Sequence, residues 1–178
     1  MFFLALLTSL DELSALVPAL AYPSRDSNAR CVINTYAITT ITFQRRSLFH
    51  RTANAELLIT TMFSYRNQGR FLLHAFVVMP EHLHVVLTPG SQAVERCVQF
   101  IKGGFSFSVR KQFAGELWQP GFHEHRIRDA EDFRNQVDYV AGNPGRRRLI
   151  DYPFVHTNYL GLLDAIPQAM TGLPASLE

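Results

Sequence analysis

The chain of 178 residues has only two cysteines, Cys31 and Cys97, and they form no Cys-x-x-Cys pair. A disulfide-dense secreted scaffold and a zinc ribbon are therefore excluded, and buried free thiols are expected. No charge of one sign dominates either: seventeen Lys and Arg stand against fifteen Asp and Glu, a net charge of +2. So small an excess does not identify a nucleic-acid binder, and the distribution of charge has to decide. No apolar run approaches the roughly 18 residues of a membrane-spanning helix, so no membrane partner is expected. Internal repeats and low-complexity tracts are absent as well. What the chain does have is 47% hydrophobic and 18% charged residues, enough apolar material to fold one domain with short extensions.

The N-terminus comes nearest to a targeting signal. Met1-Phe-Phe-Leu-Ala-Leu-Leu7 is apolar, and Ala19-Leu20-Ala21 imitates a signal-peptidase site. Against export, no Lys or Arg precedes Arg25, and Asp11 and Glu12 interrupt the apolar segment. A cytoplasmic location is expected. Residues 1–30 read as an extension ended by the turn-rich Tyr22-Pro-Ser-Arg-Asp-Ser-Asn28, residues 31–160 as the domain, and residues 161–178 as a C-terminal tail.

Within the domain, Tyr36–Phe43 is rich in β-branched and aromatic residues and predicts a strand. Ala53–Asn67 has apolar residues at helical spacing with Gly69 just beyond it. Phe71–Met79 and His84–Thr88 predict two strands whose short link makes an antiparallel hairpin. Ala93–Phe113 predicts a helix with a bend at Gly103-Gly104. Phe122–Ile127 alternates as a short strand, and a helix opens at Asp129 or Ala130 and closes at Gly142-Asn143-Pro144. The order βαββαβ plus a helix predicts an α+β, ferredoxin-like antiparallel sheet with helices on one face.

The sharpest local feature is Met79-Pro-Glu-His-Leu-His-Val-Val-Leu87. His82 and His84 sit two apart on a strand, hence on one face, where two imidazoles can converge on a divalent ion or simply be half-buried, hydrogen-bonded side chains. A metal reading needs a further oxygen or nitrogen ligand and a nucleophile. The last helix offers candidates for both in Tyr139 and Asn143, four apart and so on one helical face. A phenol beside a cation suits phosphoryl transfer. The same two residues also suit a core tyrosine and a C-cap before Pro144.

Several segments together resemble the single-tyrosine HUH transposases, most closely the REP-associated tyrosine transposases. They are Ala75-Phe-Val-Val-Met-Pro-Glu-His-Leu-His84, Phe100-Ile-Lys-Gly-Gly-Phe-Ser106, Trp118-Gln-Pro-Gly-Phe-His-Glu-His-Arg-Ile-Arg-Asp129, Val137-Asp-Tyr-Val-Ala-Gly-Asn-Pro144 and Asp151-Tyr-Pro-Phe154. They run collinearly from about Tyr36 to Tyr159, some two-thirds of the chain. The resemblance implies an HUH-type fold, His82, His84 and Asn143 as metal ligands, Tyr139 as nucleophile, and Mg²⁺ or Mn²⁺ as the cofactor. It also implies cleavage and rejoining of single-stranded or hairpin DNA through a 5′-phosphotyrosine, by a monomer, with a dimer exchanging the tyrosine helix as the alternative. A hairpin-binding protein without transfer activity, and a metal-dependent phosphoesterase that uses water, are the competing readings. After Asn143-Pro144 the chain departs from the pattern, with Gly145-Arg-Arg-Arg-Leu-Ile150 where relatives carry a Val-Arg/Lys-Ala-Gly-Leu-Val-like stretch.

Charge is gathered around these motifs. Between Phe100 and Arg128 lie Lys102, Arg110, Lys111, Arg126 and Arg128 against only Glu116 and Glu124, and Arg146, Arg147 and Arg148 follow. Such a set suits contacts to the backbone of a single strand, with Trp118, Phe105, Phe107 and Phe122 as candidate stacking surfaces. His123 and His125 form a second His-x-His pair that competes for the metal, lines the cleft, holds DNA or is structural.

Overall fold

The structure is a computed structural model and describes residues 34–167. The extension assigned to residues 1–30, Cys31 and the tail beyond residue 167 lie outside the described residues. Four strands, β1 (Thr35–Ile41), β2 (Phe71–Met79), β3 (His82–Pro89) and β4 (His123–Ile127), form one sheet of order β2-β3-β1-β4. All three pairings are antiparallel. Helix α1 (Thr52–Asn67) links β1 to β2, α2 (Val94–Val109) links β3 to β4, and α3 (Ala130–Ala141) follows β4. The expected α+β split arrangement is the one that forms. β3 begins at His82, two residues earlier than its apolar run predicts, so both histidines belong to the strand.

Alternation along the strands divides the sheet into two faces. One carries Ile38, Phe76, Val78, Leu83, Val85 and Leu87, and buries them against Ala55, Leu58, Ile59 and Met62 of α1 and Cys97, Val98, Ile101 and Phe105 of α2. These are the two helices of the βαββαβ unit, on one face as the pattern predicts. The third helix lies on the other face, where Phe133 and Val140 pack with Ala75, Val77, Met79, Val86, Ile127 and Val155. β2 serves both cores, and its register shifts between Leu73 and Ala75. That bulge keeps Phe71 and Leu73 on the same face as Phe76 and Val78, and turns His74 edge-on to Phe133 on the other.

The glycine pair in α2 makes no helix break, because the helix is continuous through Gly103 and Gly104. Gly104 is there for proximity: a Cβ at that position would lie 2.8 Å from Thr61 Cγ2 and 2.8 Å from Tyr65 Cε2 of α1. Past β4, Asp129 caps α3 by accepting a 2.8 Å hydrogen bond from the Asp132 amide. At the far end the described part of the tail is tied to the domain. Asp164 takes a bidentate ion pair from Arg66, at 2.9 and 2.6 Å, and accepts a 2.8 Å hydrogen bond from the Leu73 amide. Among the described residues no helix is long and apolar enough to cross a membrane.

A candidate active site between the sheet and the third helix

Because Leu83 is buried in the α1/α2 core, its neighbours His82 and His84 are forced onto the face that carries α3. Their ring centroids lie 4.6 Å apart at 80°. The His84 Nδ1 shares a 2.7 Å hydrogen bond with the Thr39 hydroxyl from the paired position on β1. The His82 Nδ1 lies 3.2 Å from the Glu81 carboxylate, off the line of a hydrogen bond and with no other partner. Both rings thus turn Nδ1 toward protein groups, which leaves Nε2 as the nitrogen for a ligand.

Electrostatics keep the pair neutral. Burial pushes the His84 imidazole down to about 4, helped by the neighbouring His82 and Arg146 charges and opposed by Glu81. His82 is lowered by burial as well, against the pull of Glu81. A neutral imidazole is the form that binds metal, so no proton competes at neutral pH. Glu81 is itself buried, which on its own raises a carboxyl, but His82 when it is protonated and the Arg147 charge hold it below the usual carboxylate range. Its Oε1 accepts from Arg147 at 2.9 Å and from Arg45 at 3.4 Å.

Helix α3 brings Tyr139 to this pair. Its ring stands edge-on to His84 with centroids 5.5 Å apart, and the residue is 47% exposed. Asn143 is placed differently from the expectation of a shared helix face. α3 ends at Ala141, Gly142 caps it, and Asn143 opens a separate four-residue helical turn, α4 (Asn143–Arg146), where it is 6% exposed. It makes no side-chain hydrogen bond to either histidine among the described residues. Nor do those residues contain a group of three or more His, Cys, Asp or Glu arranged around a metal position. Two neutral imidazoles with converging rings still fit a divalent ion whose remaining ligands are oxygens, from Asn143, water or phosphate.

The basic residues separate into engaged and free sets. Lys102 donates to the Gln119 and Gly121 carbonyls, both at 2.9 Å, and burial lowers its ammonium. Trp118 is 9% exposed and packs on Phe49 and Phe105 in the α1/α2 core, and Phe105 is fully buried, so neither ring forms a stacking surface. Phe107 is 65% exposed, with Arg110 3.7 Å over its ring. His125 is held at 2.9 Å from both Asp132 oxygens, which ties β4 to the start of α3. His123 is exposed and pairs with Thr39, which on its other side pairs with His84. Lys111, Arg126, Arg128 and Arg148 are exposed, and Arg128 also leans on Asp132 at 3.6 Å. Of the arginine run, Arg147 is spent on Glu81, and Arg146 lies 4.3 Å over the Tyr139 ring. An open cleft of ≈ 520 Å³ beside Lys102, Ser106, Arg110 and Trp118 is remote in role from the imidazoles, because its lysine and tryptophan are already committed.

Thr39, Glu81 and Arg45 do not stand out in the sequence. Thr39 is one β-branched residue among several in β1, and only the register shows that it meets His84. Glu81 directly precedes the His-x-His pair, and that adjacency is the one signal that could have found it.

Two strand-borne imidazoles and a helical tyrosine on the same face of a four-stranded antiparallel sheet define the single-tyrosine HUH class. The sequence model of the family described as Transposase IS200 like matches residues 32–143, and the chain belongs to that family. It is 29% identical over 129 residues to the REP-associated tyrosine transposase of Escherichia coli (strain K12), an alignment covering 65% of this chain and 72% of that one. A solved structure of a REP-associated tyrosine transposase bound to a REP hairpin matches with a TM-score of 0.62 and 25% identity. That match covers 84% of this chain and 100% of the other.

Proposed function

We propose that this transposase cleaves and rejoins single-stranded DNA beside a hairpin, REP-like element, with Tyr139 as the nucleophile. The observation that carries the reading is the Tyr139 ring standing 5.5 Å from His84 within one chain while remaining open to solvent. The solved relative bound to a REP hairpin supports the choice of substrate. The residues His82, His84 and Asn143 would hold a divalent ion, Mg²⁺ or Mn²⁺, which when bound supplies Lewis-acid polarisation of the scissile phosphate. Thr39 holds the His84 ring by its hydrogen bond, and the Glu81 carboxylate lies beside His82 Nδ1.

Tyr139 attacks the phosphorus in line. A bond forms between its phenolic oxygen and phosphorus, and the bond from phosphorus to the 3′ oxygen of the preceding nucleotide breaks. The phenolic proton leaves to solvent and the departing 3′ oxygen takes one up. The 5′-phosphotyrosine keeps the energy of the phosphodiester, so attack by another 3′-hydroxyl rejoins strands without ATP. Because tyrosine and imidazoles sit together in one chain, the geometry supports a monomer using its own tyrosine.

The test is to incubate the protein with labelled hairpin-bearing single-stranded DNA and Mn²⁺ and resolve the products on a denaturing gel. A covalent adduct that disappears in Tyr139→Phe is expected. Cleaved DNA with no adduct points to water as the nucleophile, and an adduct that survives in Tyr139→Phe removes the tyrosine from the role.

A further inference from the structure

Arg146 is the one member of the arginine run that addresses the nucleophile. Its guanidinium carbon lies 4.3 Å from the centroid of the Tyr139 ring, and its Nη2 donates to the Tyr139 carbonyl. Its backbone amide donates to Gly142 at 3.2 Å, which folds the α4 turn back over the end of α3. A Cβ at Gly142 would lie 3.2 Å from the Asp138 carbonyl oxygen and 3.3 Å from Arg146 Nη1, so the glycine leaves room for the guanidinium to lie close over the end of α3.

A guanidinium has five donor hydrogens in a planar fork, and one contact to a carbonyl leaves most of them unused. Arg146 is exposed, so those donors face the solvent beside an exposed phenol, whereas Arg147, exposed as well, is already paired with Glu81. No carboxylate partners it among the described ion pairs, whereas Arg45, Arg66, Arg128 and Arg147 each have one. An unneutralised fork next to a nucleophile that must approach a phosphodiester is matched in charge and geometry to the non-bridging oxygens of that phosphate. Stacking over the ring holds the fork in place before substrate arrives, so little reorganisation is needed during attack.

We propose that Arg146 is a further catalytic residue, which clasps the scissile phosphate beside the Tyr139 hydroxyl and presents it to in-line attack. This rests on the tyrosine reading above and adds to it a group that holds the phosphate from the side of α3 and α4. As the tyrosine bonds to phosphorus and the 3′ oxygen departs, the fork remains on the two non-bridging oxygens, whose negative charge is present throughout.

Two measurements decide it. In single turnover with saturating hairpin DNA and Mn²⁺, Arg146→Ala should form adduct roughly 10²-fold more slowly than the wild type, the scale set by removing one preorganised donor. Its hairpin affinity should change by less than about threefold, because one backbone contact among many is lost. Arg146→Lys should recover about tenfold of the rate by restoring the charge without the fork. An Arg146→Ala protein that forms adduct at the wild-type rate overturns the assignment, as does one whose only defect is weaker hairpin binding.

The second measurement needs no cleavage. In the Tyr139→Phe background, hairpin DNA carrying a single neutral methylphosphonate is walked along the flanking strand. At one position the substitution should weaken binding by the protein that retains Arg146 and leave binding by Arg146→Ala unchanged. Equal losses at every position in both proteins overturn the contact. A wild-type protein that makes no adduct removes the tyrosine reading alone, and the methylphosphonate comparison still decides whether Arg146 holds a phosphate.

Discussion

The two faces of the sheet are built from the same four strands and do different work. The face toward α1 and α2 is continuous and apolar, with Phe49, Phe71, Phe76 and Phe105 fully buried and Trp118 wedged between Phe49 and Phe105. The face toward α3 has a smaller apolar cluster, and the rest of it is polar: His82, His84, Thr39 and His74 at the strands, Tyr139 at the helix. β3 contributes to both at once, sending Leu83, Val85 and Leu87 one way and His82, His84 and Val86 the other. Period-two alternation lets one strand anchor a core and carry the chemistry, so the imidazoles inherit the rigidity of the leucine and valines between and beyond them.

That division is broken most severely by exchanging insults across the sheet. Phe105→Ala removes a ring that contacts both Phe49 and Trp118 and should cost about 3–5 kcal/mol, read from urea denaturation. At a temperature where the variant is folded, its adduct rate should stay within about threefold of the wild type. His84→Ala should do the reverse, abolishing adduct and Mn²⁺ binding by titration calorimetry while changing stability by about 1 kcal/mol, the worth of the lost Thr39 hydrogen bond. A folded but inactive Phe105→Ala, or an unfolded His84→Ala, would show that the two faces are not separable.

The same division explains what the sequence discloses. The βαββαβ order is legible because β-branched runs and helical spacing are local, and the His-x-His pair because strand parity follows from two adjacent positions. Parity also tells that Leu83 opposes the histidines. The side on which α3 packs is not local, since it depends on where the chain goes after β4. The bulge at Leu73/Ala75 inverts the parity that simple alternation would assign to half of β2, and no turn residue marks it. Gly103-Gly104 carries two meanings in sequence, a bend or a close approach, and only the position of Thr61 and Tyr65 selects the second. The arginine run reads as one basic patch, whereas its members have separate partners in Glu81 and Tyr139 that lie 66 and 7 residues away. The tyrosine, the two histidines and their shared face were legible, and the groups that orient them were not.

A smaller effect tests how the polar face is held in register with α3. Glu81 connects the His82 ring to Arg147, beyond the tyrosine helix, and to Arg45, beyond β1. Glu81→Gln removes the charge and leaves the shape, so Mn²⁺ affinity should fall by about tenfold, at the low end for a group that orients a metal-binding imidazole. Arg147→Gln should weaken the tie to α4 with Mn²⁺ affinity nearly unchanged, since the carboxylate keeps Arg45 and its position beside His82. Equal Mn²⁺ affinities for wild type and Glu81→Gln would leave His82 oriented by packing alone, and the carboxylate as a tether only.

The smallest expected effect is a pH dependence confined to the α3 face. His74 is buried there, bonded to the Thr88 hydroxyl at 2.8 Å and to the Asp164 carbonyl at 3.1 Å, and edge-on to Phe133. Burial lowers its pKa below the ordinary 6.5, against the Asp164 contacts that favour the charged ring. Lowered in the folded state, the imidazole binds its proton more readily when unfolded. As pH falls below about 6.5 the unfolded chain therefore takes up protons first, and stability must fall with it. His156, bonded to the Phe76 carbonyl and lowered by burial, adds in the same direction. The expected result is a urea midpoint that drops between pH 7 and pH 5, with a shallower slope in His74→Gln, whose amide keeps a donor and an acceptor but does not titrate. Phe105→Ala should lower the midpoint at every pH and leave the slope as it is, because the ring it removes packs on Phe49 and Trp118, which do not titrate. An unchanged slope in His74→Gln would move the acid sensitivity to His156 or the imidazole pair and away from the bulge in β2.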